Sequence, residues 1–492
     1  APKRVLYVAS NGKGGLVAIR IEQCELRILN MRTRMPFKYG IATLTALPHL
    51  LLRLEAVIDG QRAVGIASDG LAPKWFTKNP TSSFRNDIME MFAVIQHAAD
   101  SAVALGNCPT PFACWTALYD EQRLWAAPQE LPPLLWGFGV SLVERALLDA
   151  FCGVRKRAFG ELLREDAFGM DVSELHPELE GQTVAELLPA PVRNPLLRHT
   201  VGLGDYLTDA EIPGDEHVSD GLPQSLEACV AAYGLRCFKI KLCGDPEQDR
   251  DRLLRIAEIA NRVPGEVSFT LDGNEQYREL DEFRETWEAL VAMPELRDFL
   301  KGLIFVEQPL HRDRALATDT CAALRKWGKR PPMIIDESDG ELRSAQLAMA
   351  GGYVGTSHKN CKGVFKGIGN ACLIATREGA MMSGEDLANV GPVALQQDLA
   401  VAANLGIGHI ERNGHHYFKG LSMYTHAQQE AVVDAHPELY GWLGDFATLR
   451  VEQGRIDLSN VLAAPFGLAA EIDLNQFLPR QEWRYKTLGL PC

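Results

Sequence analysis

Between residues 235 and 360, one short apolar run after another ends in an ionisable residue. CFKIKLC carries Lys239 and Lys241, VSFTLDGN carries Asp272, LIFVEQP carries Glu307, PMIIDES carries Asp336 and YVGTSHKN carries Lys359. Each run of about five residues, rich in Val, Ile, Phe or Leu, reads as a strand buried on both faces, and the polar stretch after it is long enough for a helix. From Lys241 to Lys359 the ionisable residues stand 31, 35, 29 and 23 positions apart, which suits one strand, one helix and two loops per unit. A parallel sheet of such units needs right-handed crossovers, and once closed into a barrel it turns every strand C-terminus toward one mouth. The charges therefore converge.

Isolated charges in a low dielectric cost many kcal/mol, so this convergence demands compensation. A divalent cation held by Asp272, Glu307 and Asp336 supplies it, and an all-oxygen donor set favours Mg²⁺ over zinc. Lys239 and Lys241, two apart on one strand, face the same side, and Lys359 arrives from across the ring. An ammonium beside a dication is pushed toward its neutral, basic form. A base on each face of a metal-bound carboxylate can remove or return the proton on its α-carbon while the metal stabilises the charge that develops.

The KxK of Lys239 and Lys241, the DGN from Asp272, the EQP from Glu307, the DES from Asp336 and the KNCKG from Lys359 together resemble the enolase superfamily. Within its mandelate racemase/muconate lactonizing enzyme family they are most similar to the muconate lactonizing enzyme-like subgroup, which carries lysines on both the second and sixth barrel strands. The resemblance implies a (β/α)7β modified TIM barrel with an α+β capping domain built from the N-terminal segment and the C-terminal tail. It implies Lys241 and Lys359 as the acid/base pair, Lys239 as electrostatic support, Asp272, Glu307 and Asp336 as metal ligands, and Mg²⁺ as cofactor. The mandelate racemase subgroup places a His on strand seven, which this chain lacks. Dipeptide epimerases place Asp-x-Asp after strand eight, where this chain has Glu411-Arg412-Asn413.

At 492 residues, more than one domain is expected. The expected organisation is a cap in residues 1–165, a linker in 166–194, the barrel in 195–420 and a tail in 421–492 that completes the cap. SNGKGGLV lacks the spacing of a phosphate loop and reads as a β-turn. Asp59-Gly60 and Gln453-Gly454 read as hairpin turns. Phe37, Tyr39 and Ile41 fall where the family's capping loop closes over the mouth, so Phe37 and Tyr39 are candidate substrate contacts. So are Asn274 and Lys362 within their motifs, Ser383 and Glu385 after strand seven, and Glu411, Asn413 and His415 after strand eight. The adjacent His415 and His416 offer a metal ligand or a substrate contact, but they face different ways, and loop packing is the expectation for the pair. Glu337 and His358 should point out of the barrel by alternation.

The formal charge of −14 disfavours nucleic acid or an anionic membrane as partner. Eleven cysteines without CxxC pairs do not predict a disulfide framework, and no signal-peptide or transmembrane pattern is present, which points to the cytoplasm. The expected partner is a small-molecule carboxylate, and barrels of this family often form symmetric homo-oligomers. The expected activity is racemisation or epimerisation. A lyase of the same superfamily, such as an acid-sugar dehydratase, an o-succinylbenzoate synthase-like enzyme or a cycloisomerase, uses the same parts. A metal-free Schiff-base lyase or a non-catalytic barrel stands outside it.

Overall fold

The computed structural model describes residues 18–490, so the turn expected in SNGKGGLV lies outside them. An antiparallel meander opens the chain: β1 (Ile19–Tyr39), β2 (Ala42–Ile58) and β3 (Gln61–Gly70). The β2–β3 turn is Asp59-Gly60, both at positive φ, as a two-residue hairpin with right-handed strand twist requires. Three helices follow, α1 (Phe84–Ala104), α2 (Pro111–Ala126) and α3 (Pro133–Arg155), with the short β4 (Asn107–Cys108) between the first two. Ser83 and Thr110 cap the first two helices through side-chain oxygens, and Pro133 opens the third.

Helix α3 packs against β3 so closely that a Cβ on Gly65 would collide with the Ala146 carbonyl. From Ala46 to Leu52 every residue of β2 is buried, each large apolar side chain contributing about 1.5–3 kcal/mol. Cys108 and Cys114 form a disulfide with Cα atoms 5.4 Å apart. The sequence pattern gave no sign of it, because β4 and the first turn of α2 bring together two residues without a CxxC spacing. It is one local staple, and no framework accompanies it among the described residues.

Eight parallel strands then close a barrel: β5 (Leu196–Val201), β6 (Cys237–Lys241), β7 (Ser268–Asp272), β8 (Leu303–Glu307), β9 (Met333–Ile335), β10 (Gly355–His358), β11 (Met381–Gly384) and β12 (His409–Arg412). A helix of eight or more residues follows each of the first seven. After β12 the chain makes only the four-residue helix Gly414–Tyr417 and departs, giving a (β/α)7β barrel. The tail carries the helix His426–Ala435, the hairpin of β13 (Tyr440–Leu443) and β14 (Phe446–Leu449), and β15 (Leu478–Pro479), which pairs with β1 and so returns to the N-terminal sheet. No helix among the described residues is long and apolar enough to cross a membrane.

Candidate active site

Cross-strand register aligns the ladder. Lys241 lies beside Asp272, and Asp272 beside Glu307, at the C-terminal ends of β6, β7 and β8. Asp336 and Lys359 follow the last residues of β9 and β10. All are buried, and the lysines of β6 and β10 stand four strands apart in the eight-strand ring, on opposite sides of the mouth.

Lys239 holds the centre. Its Nζ lies 2.8 Å from Glu307, 3.0 Å from Glu385, 2.9 Å from Glu411 and 3.2 Å from Asp272. Burial alone would pull this ammonium down, but Glu307, Glu385, Glu411 and Asp272 outweigh it and hold its pKa well above the ordinary lysine value. It is a fixed cation. Lys241, by contrast, has a single acidic partner, Asp272, and reaches the cavity wall. Lys359 Nζ sits 2.6 Å from Asp336 and 2.7 Å from Glu385, with its charge 5.4 Å above the Trp75 ring.

A cavity opens at the mouth, with about 660 Å³ of space in it and in the solvent at its opening. Lys239, Lys241, Asp272, Asp336 and Lys359 line it, and so do Phe37, Tyr39, Asn274, Glu411 and Asn413. Phe37 stacks on Tyr417 with ring centroids 4.0 Å apart, and the Tyr39 hydroxyl donates to the Pro73 carbonyl at 2.8 Å. Asn274 donates its backbone N–H to Asp272 at 2.8 Å and its amide at 3.2 Å, orienting that carboxylate.

Four expected substrate contacts lie elsewhere. Ser383 and Glu385 sit behind the wall, where Arg198 Nη2 donates to both at 2.6 and 2.9 Å. Lys362 points back at the Asp336 and Ser357 carbonyls, 2.9 and 3.1 Å away, and braces the turn that carries Asp336. His415 turns aside to His199, its Nε2 3.0 Å from His199 Nδ1. The short helix after β12 carries it away from the mouth, so His415 packs against a neighbour, which is the alternative expected for the pair from the sequence.

Glu337 departs from expectation in the other direction. Strand β9 ends at Ile335, so alternation no longer governs residues 336 and 337, and both carboxylates line the cavity. Burial, with Asp336 and Glu275 nearby, pushes Glu337 up to about 8. His358 does point outward, to Asn360 at 3.0 Å.

Gln308 is another part that spacing did not single out. Its carbonyl oxygen accepts the Asp336 N–H at 2.8 Å and its amide donates to Ser338 at 2.8 Å, tying the ends of β8 and β9 together. Arg312 performs a similar task for the cap, gripping Glu275 at 2.8 Å and the Trp75 and Phe76 carbonyls at 2.9 Å. Their sequence signal was present, Gln in EQP and Arg after it, but a hydrogen-bond partner cannot be read from spacing.

Glu307, Asp336 and Glu385 each offer an oxygen within 4.8 Å of the others. Burial, followed by the charges of Asp272 and Glu385, drives the Glu307 carboxyl well above its ordinary range. Such crowding of hard oxygen donors fits a Mg²⁺-type cation, which would relieve the repulsion among them. Asp336 is already held well below the carboxylate range, since Lys359 and Lys362 overcome its burial. The donor set therefore fits the group that the motifs imply, although the cluster contains Glu307, Asp336 and Glu385, while Asp272, the third expected acid, lies outside it and is engaged by Lys241.

Solved structures similar to this chain include muconate lactonizing enzyme from Pseudomonas fluorescens, 17% identical with TM-score 0.57, covering 92% of this chain and 97% of that one. A dipeptide epimerase from Enterococcus faecalis V583 is 14% identical with TM-score 0.57, covering 92% and 99%. An enolase from Bradyrhizobium, complexed with magnesium and mandelic acid, is 14% identical with TM-score 0.56, covering 92% and 96%. In sequence, the chain is 32% identical over 126 residues to the L-Lys-D/L-Arg epimerase of Methylococcus capsulatus (strain ATCC 33009 / NCIMB 11132 / Bath). That match spans 26% of this chain and 31% of the relative. No protein-family model matches the chain. The fold is thus one shared with these muconate lactonizing enzyme, dipeptide epimerase and enolase structures.

Proposed function

We propose that this chain is a Mg²⁺-dependent enzyme that moves the α-proton of a carboxylate substrate, and that it is a racemase or epimerase. The observation that carries this reading is the placement of Lys241 and Lys359, both on the cavity wall and diametrically opposed in the barrel ring. A substrate lying between them presents one face of its α-carbon to each. One lysine takes the proton and the other returns one to the opposite face, which inverts the centre.

The residues that would hold the cation are Asp272, Glu307 and Asp336, with Glu385 adjacent; the ion would supply stabilisation for the negative charge developing on the substrate carboxylate. Lys239, fixed among four carboxylates, keeps that set together and adds positive charge beneath the substrate. Asn274 orients Asp272, and Gln308 orients Asp336. Phe37 and Tyr39 line the cavity and offer aromatic surface to the substrate. Strand eight supplies no free acid pair for a substrate ammonium: Arg412 turns away to Asp386 at 2.7 Å, and Glu411 is taken up by Thr200 and Lys239. The epimerase that the chain matches over 126 residues supports inversion, while the similar folds include a dipeptide epimerase and a muconate lactonizing enzyme alike.

Mass spectrometry after incubating pooled N-acyl amino acids, dipeptides and sugar acids with enzyme and Mg²⁺ in D₂O tests the reading. Gain of one deuterium without loss of water is the expected outcome. Loss of water in place of exchange would make the protein a dehydratase or related lyase, and borohydride trapping of a substrate on a lysine would replace the whole scheme with Schiff-base chemistry.

A further inference from the structure

A second group of ligand-type side chains lies outside the mouth, and the chemistry proposed above does not use it. On β5, Arg198 and Thr200 face the barrel interior, reaching Glu385 and Glu411, so His199 between them faces outward toward the helical layer. Cys229 comes to the same place from the helix Leu226–Tyr233, and His416 from the helix Gly414–Tyr417. One ligand atom of each lies within 4.8 Å of the others, and all three residues are buried. This layer of a barrel is ordinarily apolar, and a thiol with two imidazoles converging there calls for an explanation.

We propose that His199, Cys229 and His416 form a zinc site of three protein ligands. Cys229 Sγ is 3.6 Å from His416 Nδ1, and a tetrahedral ion with Zn–S near 2.3 Å and Zn–N near 2.05 Å separates a sulfur and a nitrogen ligand by roughly 3.6 Å. His199 Nδ1 is engaged by His415 Nε2 at 3.0 Å, which leaves His199 Nε2 as the ligand atom. His416 Nδ1 faces the sulfur, and its Nε2 lies 4.0 Å from Asp205 Oδ2. Asp205 is itself fixed by the Tyr417 hydroxyl at 2.7 Å. A second imidazole behind His199 is the kind of outer partner that sets ring orientation at zinc sites, whereas Asp205 stands beyond hydrogen-bond reach of His416. Mixed sulfur and nitrogen donors select zinc over Mg²⁺, so the two clusters take different ions. The ion joins the first strand, the first helix and the segment after the last strand, which is where the barrel closes. Arg34 of β1 donates to the His416 carbonyl at 3.0 Å, so the cap strand rests on the same seam.

The test uses the full chain with Co²⁺ as the probe, in excess Mg²⁺ to occupy the oxygen cluster. Wild-type protein should show a thiolate-to-cobalt charge-transfer band in the near ultraviolet, and Cys229→Ser should lose it. Absence of the band in wild type, or its survival in Cys229→Ser, overturns the site. Should that variant not fold, X-ray absorption at the zinc edge of wild-type protein decides alone. A shell with one sulfur and at least two nitrogens supports the proposal, and an all-oxygen shell sinks it.

Discussion

The barrel mouth and the seam between β5 and β12 both gather ionisable side chains in buried positions, but they do so by opposite physics. At the mouth the side chains are acids and bases set against one another. Lys239, Lys359 and Arg198 interleave with Asp272, Glu307, Asp336, Glu385 and Glu411, and each charge is tolerated only because the others are present. At the seam, burial holds His199, His415 and His416 neutral. The one carboxylate near His416 there, Asp205, is held by a tyrosine. A charge lattice is destabilised by removing any one member, whereas a neutral cluster waits for an ion to give it a purpose.

The largest expected effect follows from breaking the symmetry of the mouth. Lys241→Ala and Lys359→Ala should each cost about 10²–10⁴-fold in turnover, the range of a lost acid/base group. Each should abolish α-proton exchange from one stereoisomer and spare more of it from the other, as read by deuterium incorporation from each isomer separately. Equal loss from both isomers would end the two-base scheme.

Next in size is Lys239→Met, which leaves four carboxylates facing one another. Breaking one side of a buried charge set costs about 3–5 kcal/mol. The melting temperature should fall sharply without Mg²⁺ and recover in part when Mg²⁺ is added. A variant as stable as wild type in both conditions would mean that the lattice view of the mouth is wrong. Glu307→Gln acts on the same lattice from the other side. It should weaken Mg²⁺ binding measured by calorimetry by more than tenfold while leaving the circular dichroism spectrum intact.

How much of this could be read from the chain follows the same division. Lys241, Asp272, Glu307, Asp336 and Lys359 were legible because each stands at the end of a strand or directly after it, and a βα unit imposes a regular interval between such ends. The hairpin at Asp59-Gly60 was legible through its turn chemistry. Glu337 was misread because β9 stops two residues short of it, and strand alternation has no authority over a loop. Ser383 was expected after strand seven but lies within β11, and although Glu385, Lys362 and His415 do follow barrel strands, the side chains follow partners such as Arg198 and His199 that lie far away in sequence. The seam cluster combines a strand, a long helix and a short one, so no periodicity links its members. The Cys108–Cys114 bridge was hidden for a similar reason.

A buried glutamate outside both clusters supplies the smallest and most controlled contrast. Glu144, on α3, accepts the N–H groups of Val364 and Phe365 at 3.0 and 2.6 Å, capping the helix Val364–Ala375 that follows Lys359. No cation pairs with it among the described residues, unlike Glu385 with its two lysines and an arginine. Burial raises its pKa from 4.5 to about 7, against the pull of those two N–H groups. The native state therefore holds a proton there that the unfolded chain releases between about pH 4.5 and 7. Stability from this group is complete below the unfolded value and is lost as pH rises through the folded one. The loss is of order 3 kcal/mol at most. The two N–H groups reach separate carboxylate oxygens, so Glu144→Gln keeps an oxygen for one of them, at a cost that does not depend on pH, and cannot ionise. The difference in unfolding free energy between variant and wild type should therefore grow in the variant's favour from pH 5 to pH 8. A difference that stays constant over that range would show that Glu144 is ionised throughout, stabilised by its helix cap much as the mouth carboxylates are by their cations.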